Sequence, residues 1–175
     1  MTELRHTELY KQSVEAVLAR RNQEGIWQGR LSSSPLATAT AVFALYLVDS
    51  SRHQRIIEKG LQWLAKSQNP DGGWGDTDGI DPSNLSTTLL CRSAFYGCQT
   101  LGRFELTLNK AERWIGSQAG SLEPESIVKA IYAAYGNDRT FAVPILTMCA
   151  LAGCLGEKGW KYVMPLPFEL AILPG

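Results

Sequence analysis

This sequence lacks an excess of charge of either sign: 17 Lys and Arg stand against 17 Asp and Glu, a formal net charge of zero at pH 7. With no positive field to gather phosphate backbones or anionic lipid, nucleic acid is a poor partner. Charge is scarce as well, 19% of residues where about a quarter is usual. The deficit falls in two uncharged stretches, Leu31 to Val48 and Thr140 to Gly156. Neither reads as a membrane span, because the first opens with three serines and Pro35 and the second is interrupted by Pro144 and Gly153. Both read as buried helices.

Chemistry-bearing residues are few. The four cysteines, Cys91, Cys98, Cys149 and Cys154, have no C-x-x-C spacing that would bring two thiolates to one metal, so reduced and mostly buried thiols are expected. The two histidines, His6 and His53, lie among charged residues and are expected to be solvated. G-x-S-x-G, H-E-x-x-H and G-x-x-x-x-G-K are all absent, which removes the compact signatures of a hydrolase, a zinc protease and a P-loop enzyme. The first residues, MTELRHTELYKQ, mix both charge signs without an apolar run, so no secretory signal is expected and the expected compartment is the cytoplasm.

What the chain does have is enough apolar material for an ordinary core. Its 175 residues are 45% hydrophobic, and a chain of that size buries about 70% of its unfolded surface without disulfides or metals. Apolar spacing gives helix after helix and no convincing strand, so an all-α fold is expected. A first helix, with Leu4, Leu9, Val14, Val17 and Leu18 on one face, should run to Gly25. Ser34 before Pro35 marks a cap and first turn, opening a second helix to about Asp49. A third covers about Ser51 to Gln68 and ends in the turn run Asn69-Pro70-Asp71-Gly72-Gly73. Ser83 could cap a fourth reaching about Gly97; a fifth spans about Glu105 to Gln118, a sixth runs from Pro124 to before Gly136, and a seventh from about Thr140 to Leu155. The tail, MPLPFELAILPG, is too rich in proline for a long helix.

An internal repeat is the most informative feature. Lys59-Gly60-Leu61-Gln62-Trp63-Leu64 recurs as Lys110-Ala111-Glu112-Arg113-Trp114-Ile115, a shift of 51 residues, and each phrase leads to a glutamine, Gln68 or Gln118. Upstream, Gln23-Glu24-Gly25-Ile26-Trp27 places a Gly-x-Trp that aligns with Gly72-Gly73-Trp74 at a shift of 47. The last copy is degenerate, with Leu122 where the others have Trp. Glutamine can donate to the orphan carbonyls of a helix end, glycine permits a left-handed turn, and the Trp that follows can lie across the helix termini. Units of this kind bury their apolar sides only against neighbours, which implies a curved array or part of a closed ring of helices. The alternative is a set of unrelated helix stops with chance tryptophans.

The run from Lys59 to Gly75, KGLQWLAKSQNPDGGWG, resembles a nearly complete QW motif, the repeat of the class II triterpene cyclases and of squalene-hopene cyclases in particular. Gly25-Ile26-Trp27-Gln28-Gly29, the segment Asp138 to Pro144 and the segment Met164 to Glu169 are similar to the order of segments at the start of such enzymes, so the resemblance covers the whole chain. It implies a partial α/α toroid corresponding to the first quarter to third of a cyclase: an N-terminal helix over residues 1–24, a repeat domain over 25–160, and a tail over 161–175 leading into a part not contained here. The motif residues Gln23, Gly25, Trp27, Lys59, Trp63, Gln68, Gly72, Gly73, Trp74, Lys110, Trp114 and Gln118 then carry structural roles. The implied ligand of the parent protein is an apolar isoprenoid, and its implied seat is peripheral to the inner face of a membrane.

Departures from the family pattern bound the activity. Cyclases of this kind protonate an alkene or epoxide with the aspartic acid of a D-x-D-D motif, which this sequence lacks. The nearest acidic run, Asp76-Thr77-Asp78-Gly79-Ile80-Asp81, reads as a solvated loop; a calcium loop would need a differently placed glycine and an acidic residue where Thr87 stands. Ser83-Asn84-Leu85-Ser86-Thr87-Thr88 occupies the place where related barrels carry aspartates before paired threonines. No catalytic residue, cofactor or metal is therefore assigned, and the chain alone should be inactive. Two other readings stand beside this one, a free-standing toroid scaffold and a protein prenyltransferase β-subunit-like domain, the latter weakened by the absence of D-x-C. A partial ring would leave apolar helix faces uncovered for a C-terminal domain, a partner chain or a second copy.

Overall fold

The computed structural model describes residues 2–29, 31–79, 81–137 and 140–165. Ile80, Asp138, Arg139 and the tail from Leu166 onward lie outside the described residues, as do the side chains of Leu4 and His6. The described residues form six α-helices: α1 (Thr2–Leu18), α2 (Pro35–Lys66), α3 (Leu85–Gly97), α4 (Glu105–Ala119), α5 (Pro124–Tyr135) and α6 (Ala142–Leu151), with single 3-10 turns at Leu101–Arg103 and Gly159–Tyr162. The fold is all-α, a segment of an α/α toroid. None of the helices among the described residues is long and apolar enough to cross a membrane.

The chain divides into two compact units, Met1–Ser32 and Ser33–Gly175. In the first, α1 ends at Leu18 and not at Gly25. Arg20 and Arg21 donate backbone bonds three residues back, to Val17 and Leu18, which tightens the last turn and turns the chain out of the helix. Residues 25–27 bond back toward this helix through Gly25 O and Trp27 Nε1, within the first compact unit.

In the second unit, Ser34 caps α2, its hydroxyl accepting from the Ala37 amide at 3.2 Å, with Pro35 at the first helical position. The expected second and third helices appear as one helical run broken at Asp49, whose backbone is extended (φ −165°, ψ 94°). The Asp49 carboxylate accepts from the Arg52 amide at 2.9 Å and so caps the second half. The two halves then pack closely: a Cβ on Gly60 would lie 2.3 Å from Val42 Cγ2, which explains why the repeat carries a small residue at this position and a fully buried Ala111 in the next copy. Asn84, not Ser83, caps α3, its Oδ1 accepting from Thr87 N at 2.9 Å. Ser83 points elsewhere and serves the turn before it.

Helix α3 is the centre of this unit. It packs against α2, α4 and α6, and every residue from Thr87 to Phe95 is buried. The uncharged stretches behave differently from one another. In α6 Ala142, Val143, Ile145, Leu146, Met148 and Cys149 are buried, as an inner helix requires. In 31–48 burial is limited to Pro35, Ala39, Val42 and Phe43, while Leu47 and Val48 are exposed. Helix α6 stops at Leu151, short of the expected Leu155, because Gly153 turns left-handed (φ +76°).

Candidate functional site

Of the residues singled out by the repeat, Gln68, Gly72, Gly73, Trp74 and Trp114 meet at the turn between α2 and α3. Trp74 is fully buried. Its indole Nε1 donates to the carbonyl of Leu64 at 2.9 Å, inside the last turn of α2, and its amide donates to Thr88 Oγ1 at 3.0 Å. Its carbonyl accepts from the Asn84 amide at 3.0 Å, so one residue fastens the end of α2 to the start of α3. The ring continues into the core through Phe95, 6.3 Å away, and Phe104 beyond it.

Gln68 reaches further. Its Nε2 donates to Gly72 O at 2.8 Å and to Thr107 O at 2.9 Å, tying the turn to the first turn of α4. Gly72 has φ +97°, and a Cβ there would sit 2.7 Å from Lys110 O; both conformation and space demand glycine. At Gly73 a Cβ would crowd Ser83 and the Trp114 ring. Trp114 Nε1 donates to Asp71 Oδ2 at 3.0 Å, while Asp71 Oδ1 accepts from the Gly73 amide at 3.0 Å and the Ser83 hydroxyl at 2.7 Å. Partial desolvation pushes the Asp71 carboxyl upward, but these donors from Gly73, Ser83 and Trp114 outweigh it and hold the pKa below the ordinary value.

The remaining motif positions are supports. Trp63 is half-buried against the core, and its carbonyl accepts from Ser67 N at 2.9 Å. Lys59 and Lys110 are exposed. Gln118 is exposed and among the described residues meets the neighbouring Ser117 hydroxyl, at 3.3 Å, where Gln68 bridges to the next helix.

In the N-terminal unit the same pattern returns. Trp27 Nε1 donates to Val17 O at 2.6 Å, ten residues back, as Trp74 does to Leu64. Asn22 N donates to Ile26 O and Gly25 N to Asn22 O, matching Asn69 N to Gly73 O and Gly72 N to Asn69 O. Each pair is related by the shift of 47 residues. Gln23 is exposed and is not the counterpart of Gln68; that place belongs to Arg21, whose Nε donates to Gly25 O at 2.8 Å and whose guanidinium lies 5.2 Å from the Trp27 ring centroid. An arginine can imitate a glutamine here because both present a planar N–H to a carbonyl.

The acidic run is built into the same region. Asp76 accepts from Asn84 Nδ2 at 2.9 Å and from the Thr87 hydroxyl, which makes it a brace for the start of α3. No group of three or more His, Cys, Asp or Glu side chains among the described residues is arranged to hold a metal ion. Toward its C-terminal half, α3 carries a buried charge that the motif does not announce: Arg92 donates to Glu112 at 3.1 and 3.2 Å and lies 4.7 Å from the Tyr96 ring centroid, and Tyr96 donates to the same carboxylate at 2.6 Å. Around the other end of α3, an apolar cavity of about 290 Å³ is walled by Leu36, Leu90, Tyr135, Phe141, Ile145 and Met148, with Ser86 and Tyr135 hydrogen-bonded across it at 2.9 Å.

An aromatic turn that closes on its own helix and is fastened to the next one defines an α/α repeat protein of the QW type. A family model described as the squalene-hopene cyclase N-terminal domain matches residues 10–175. The chain belongs to that family. A squalene-hopene cyclase of Zymomonas mobilis is 27% identical over 136 residues, covering 72% of this chain and 20% of the relative. A dammaradiene synthase of Dryopteris crassirhizoma is 38% identical over 73 residues, covering 35% of this chain and 11% of the relative. The chain thus spans a fifth or less of the length of these relatives. No solved structure matches.

Proposed function

We propose that this chain is the structural N-terminal segment of a larger triterpene-cyclase-like protein, inactive by itself, whose aromatic turns fix helix ends around a reaction carried out by other parts of the parent. The observation that carries this reading is the recurrence of one hydrogen-bonded turn at a spacing of 47 residues, with a further helix tied on through Gln68 and Trp114. The likeness to two cyclases supports the same reading. In the parent, a C-terminal domain covers apolar side chains that are exposed here, among them Leu47, Val48, Leu106 and Phe141. The apolar cavity beside α3 borders the path of an isoprenoid chain. The parent sits in the cytoplasm, peripheral to the inner face of a membrane.

The test is to incubate the purified chain with squalene and examine the extract by gas chromatography and mass spectrometry. No cyclised product is expected, and formation of a cyclic triterpene would overturn the structural assignment. Sequencing past the codon for Gly175 tests the other half: further QW repeats and a D-x-D-D are expected. A stop codon there, with a monodisperse monomer in solution, would establish a free-standing scaffold instead.

A further inference from the structure

Two of the cysteines are brought together by the way α6 ends. The amide of Cys154 donates to Cys149 O at 2.9 Å and that of Gly153 to Ala150 O at 3.0 Å, with Gly153 left-handed. This is the Schellman pattern, in which the residues at the two ends of the turn bring their side chains into contact. With that carbonyl and amide bonded, standard bond lengths keep the two Cα atoms within about 7 Å, the reach of a disulfide. The sulfurs converge on one group: Ser93 Oγ on α3 lies 3.4 Å from Cys149 Sγ and 3.7 Å from Cys154 Sγ. A hydroxyl has one proton, so it donates to one sulfur while accepting from the other, which holds the two thiols on the same side of the helix end.

The pair is also asymmetric. Cys149 is fully buried, and burial pushes its thiol up to about 12. Cys154 is partly exposed; burial holds its thiol above the ordinary value, and the Arg92 guanidinium offsets part of that rise. Arg92 is 7% exposed, and its Nη1 has no hydrogen-bond partner among the described residues. Cys91 and Cys98, by contrast, are buried, with no positive charge acting on their thiols.

We propose that Cys149 and Cys154 form a redox-active dithiol that closes to an intramolecular disulfide by exchange with a small disulfide such as glutathione disulfide. The Cys154 thiolate attacks one sulfur of glutathione disulfide, whose S–S bond breaks and releases one glutathione thiolate. Cys149 then gives up its proton, attacks the Cys154 sulfur of the mixed disulfide and expels the second glutathione. Two protein thiols are oxidised, and one glutathione disulfide is reduced to two glutathione thiols. Closure removes both sulfurs as thiol partners of Ser93, so the contact between α3 and the end of α6 responds to oxidation.

The experiment treats the folded full chain with glutathione disulfide, quenches and alkylates it in denaturant, and maps the peptides by mass spectrometry. The expected result is a Cys149–Cys154 linked species and the loss of two alkylatable thiols per chain, with Cys91 and Cys98 still alkylated. The Cys149→Ser variant should instead accumulate glutathione on Cys154, and Cys154→Ser should leave Cys149 unmodified. A stable mixed disulfide on Cys154 in the unaltered chain, or four thiols lost together at the rate of global unfolding, would overturn the proposal. Neither of those outcomes depends on a variant that folds.

Discussion

The turn that closes on Val17 and the turn that closes on Leu64 share their backbone bonds, their indole bond and their left-handed glycine, yet Trp27 is 53% exposed and Trp74 is fully buried. Local hydrogen bonds therefore suffice to shape this turn. What the second turn adds is a layer of attachments beyond itself: Gln68 to Thr107, Trp114 to Asp71, and the backbone of Gly72 pressed against Lys110. Arg21, in the place of Gln68, bonds among the described residues within its own turn and to the ring of Trp27. Shape is inherited from the repeat, while stability depends on what each copy touches.

The largest expected separation between the two turns comes from the tryptophans. Trp74→Ala should cost about 3–5 kcal/mol, the range for a large truncation in a packed core, whereas Trp27→Ala should cost about 1 kcal/mol or less; urea unfolding of both variants measures the gap. Equal losses would show that the first turn is buried as deeply in solution as the second. Next come the glycines. Gly72→Ala meets a fixed carbonyl and a strained φ together and should cost about 2–3 kcal/mol. Gly25→Ala, with φ +78°, would meet only the end of the Arg21 side chain, which can move, so about 1 kcal/mol is expected.

Smaller again is the side-chain bond at the helix end. Gln68→Ala should lose about 1–2 kcal/mol, since two carbonyls lose a donor, and Arg21→Ala about 0.5 kcal/mol at an exposed site. The smallest effect should be one of pH. Asp71 has a folded pKa below its ordinary value of 3.8, so its contribution is fully present above the unfolded value and is lost as pH falls through the folded one. Asp71→Asn should flatten that acid limb by less than about 1 kcal/mol, as suits a solvent-screened carboxylate. A parallel measurement of unfolding against pH in both chains, from pH 6 downward, checks this sign; an unaltered acid limb would remove Asp71 from the account.

Much of the fold was legible because its signals are local. Ser34-Pro35 opened a helix, Gly72 turned the chain after α2 with positive φ, and the spacing of Gly-x-Trp reappeared in the hydrogen bonds at the same shift of 47. Less legible were features decided by tertiary partners. Gln23 looked like the upstream glutamine, but a carbonyl needs only a planar N–H at the right distance, and Arg21 supplies it. The fourth helix carried Arg92 and gave no sign of being the most buried, because Glu112 and Tyr96, which make that burial tolerable, lie 20 and 4 residues further along the chain. The link from Trp114 to Asp71 spans 43 residues and leaves no periodicity to read. At the end of α3, Gln99 takes the left-handed position (φ +54°) that a glycine search would pass over.

The bond from Trp74 to Leu64 has a further consequence for how such a chain can vary. It ends ten residues back, on the same stretch where Gln68 must reach both Gly72 and Thr107. One residue added or removed between Leu64 and Trp74 would displace the indole from its carbonyl and rotate the glutamine off its two acceptors in a single step. The turn thus works as a gauge of chain length: substitutions along it can be absorbed one at a time, but insertions and deletions are rejected as a class. The last copy shows the penalty: Gln118 stands four residues after Trp114 where Gln68 stands five after Trp63, and the bridge that Gln68 makes to the next helix is not repeated there.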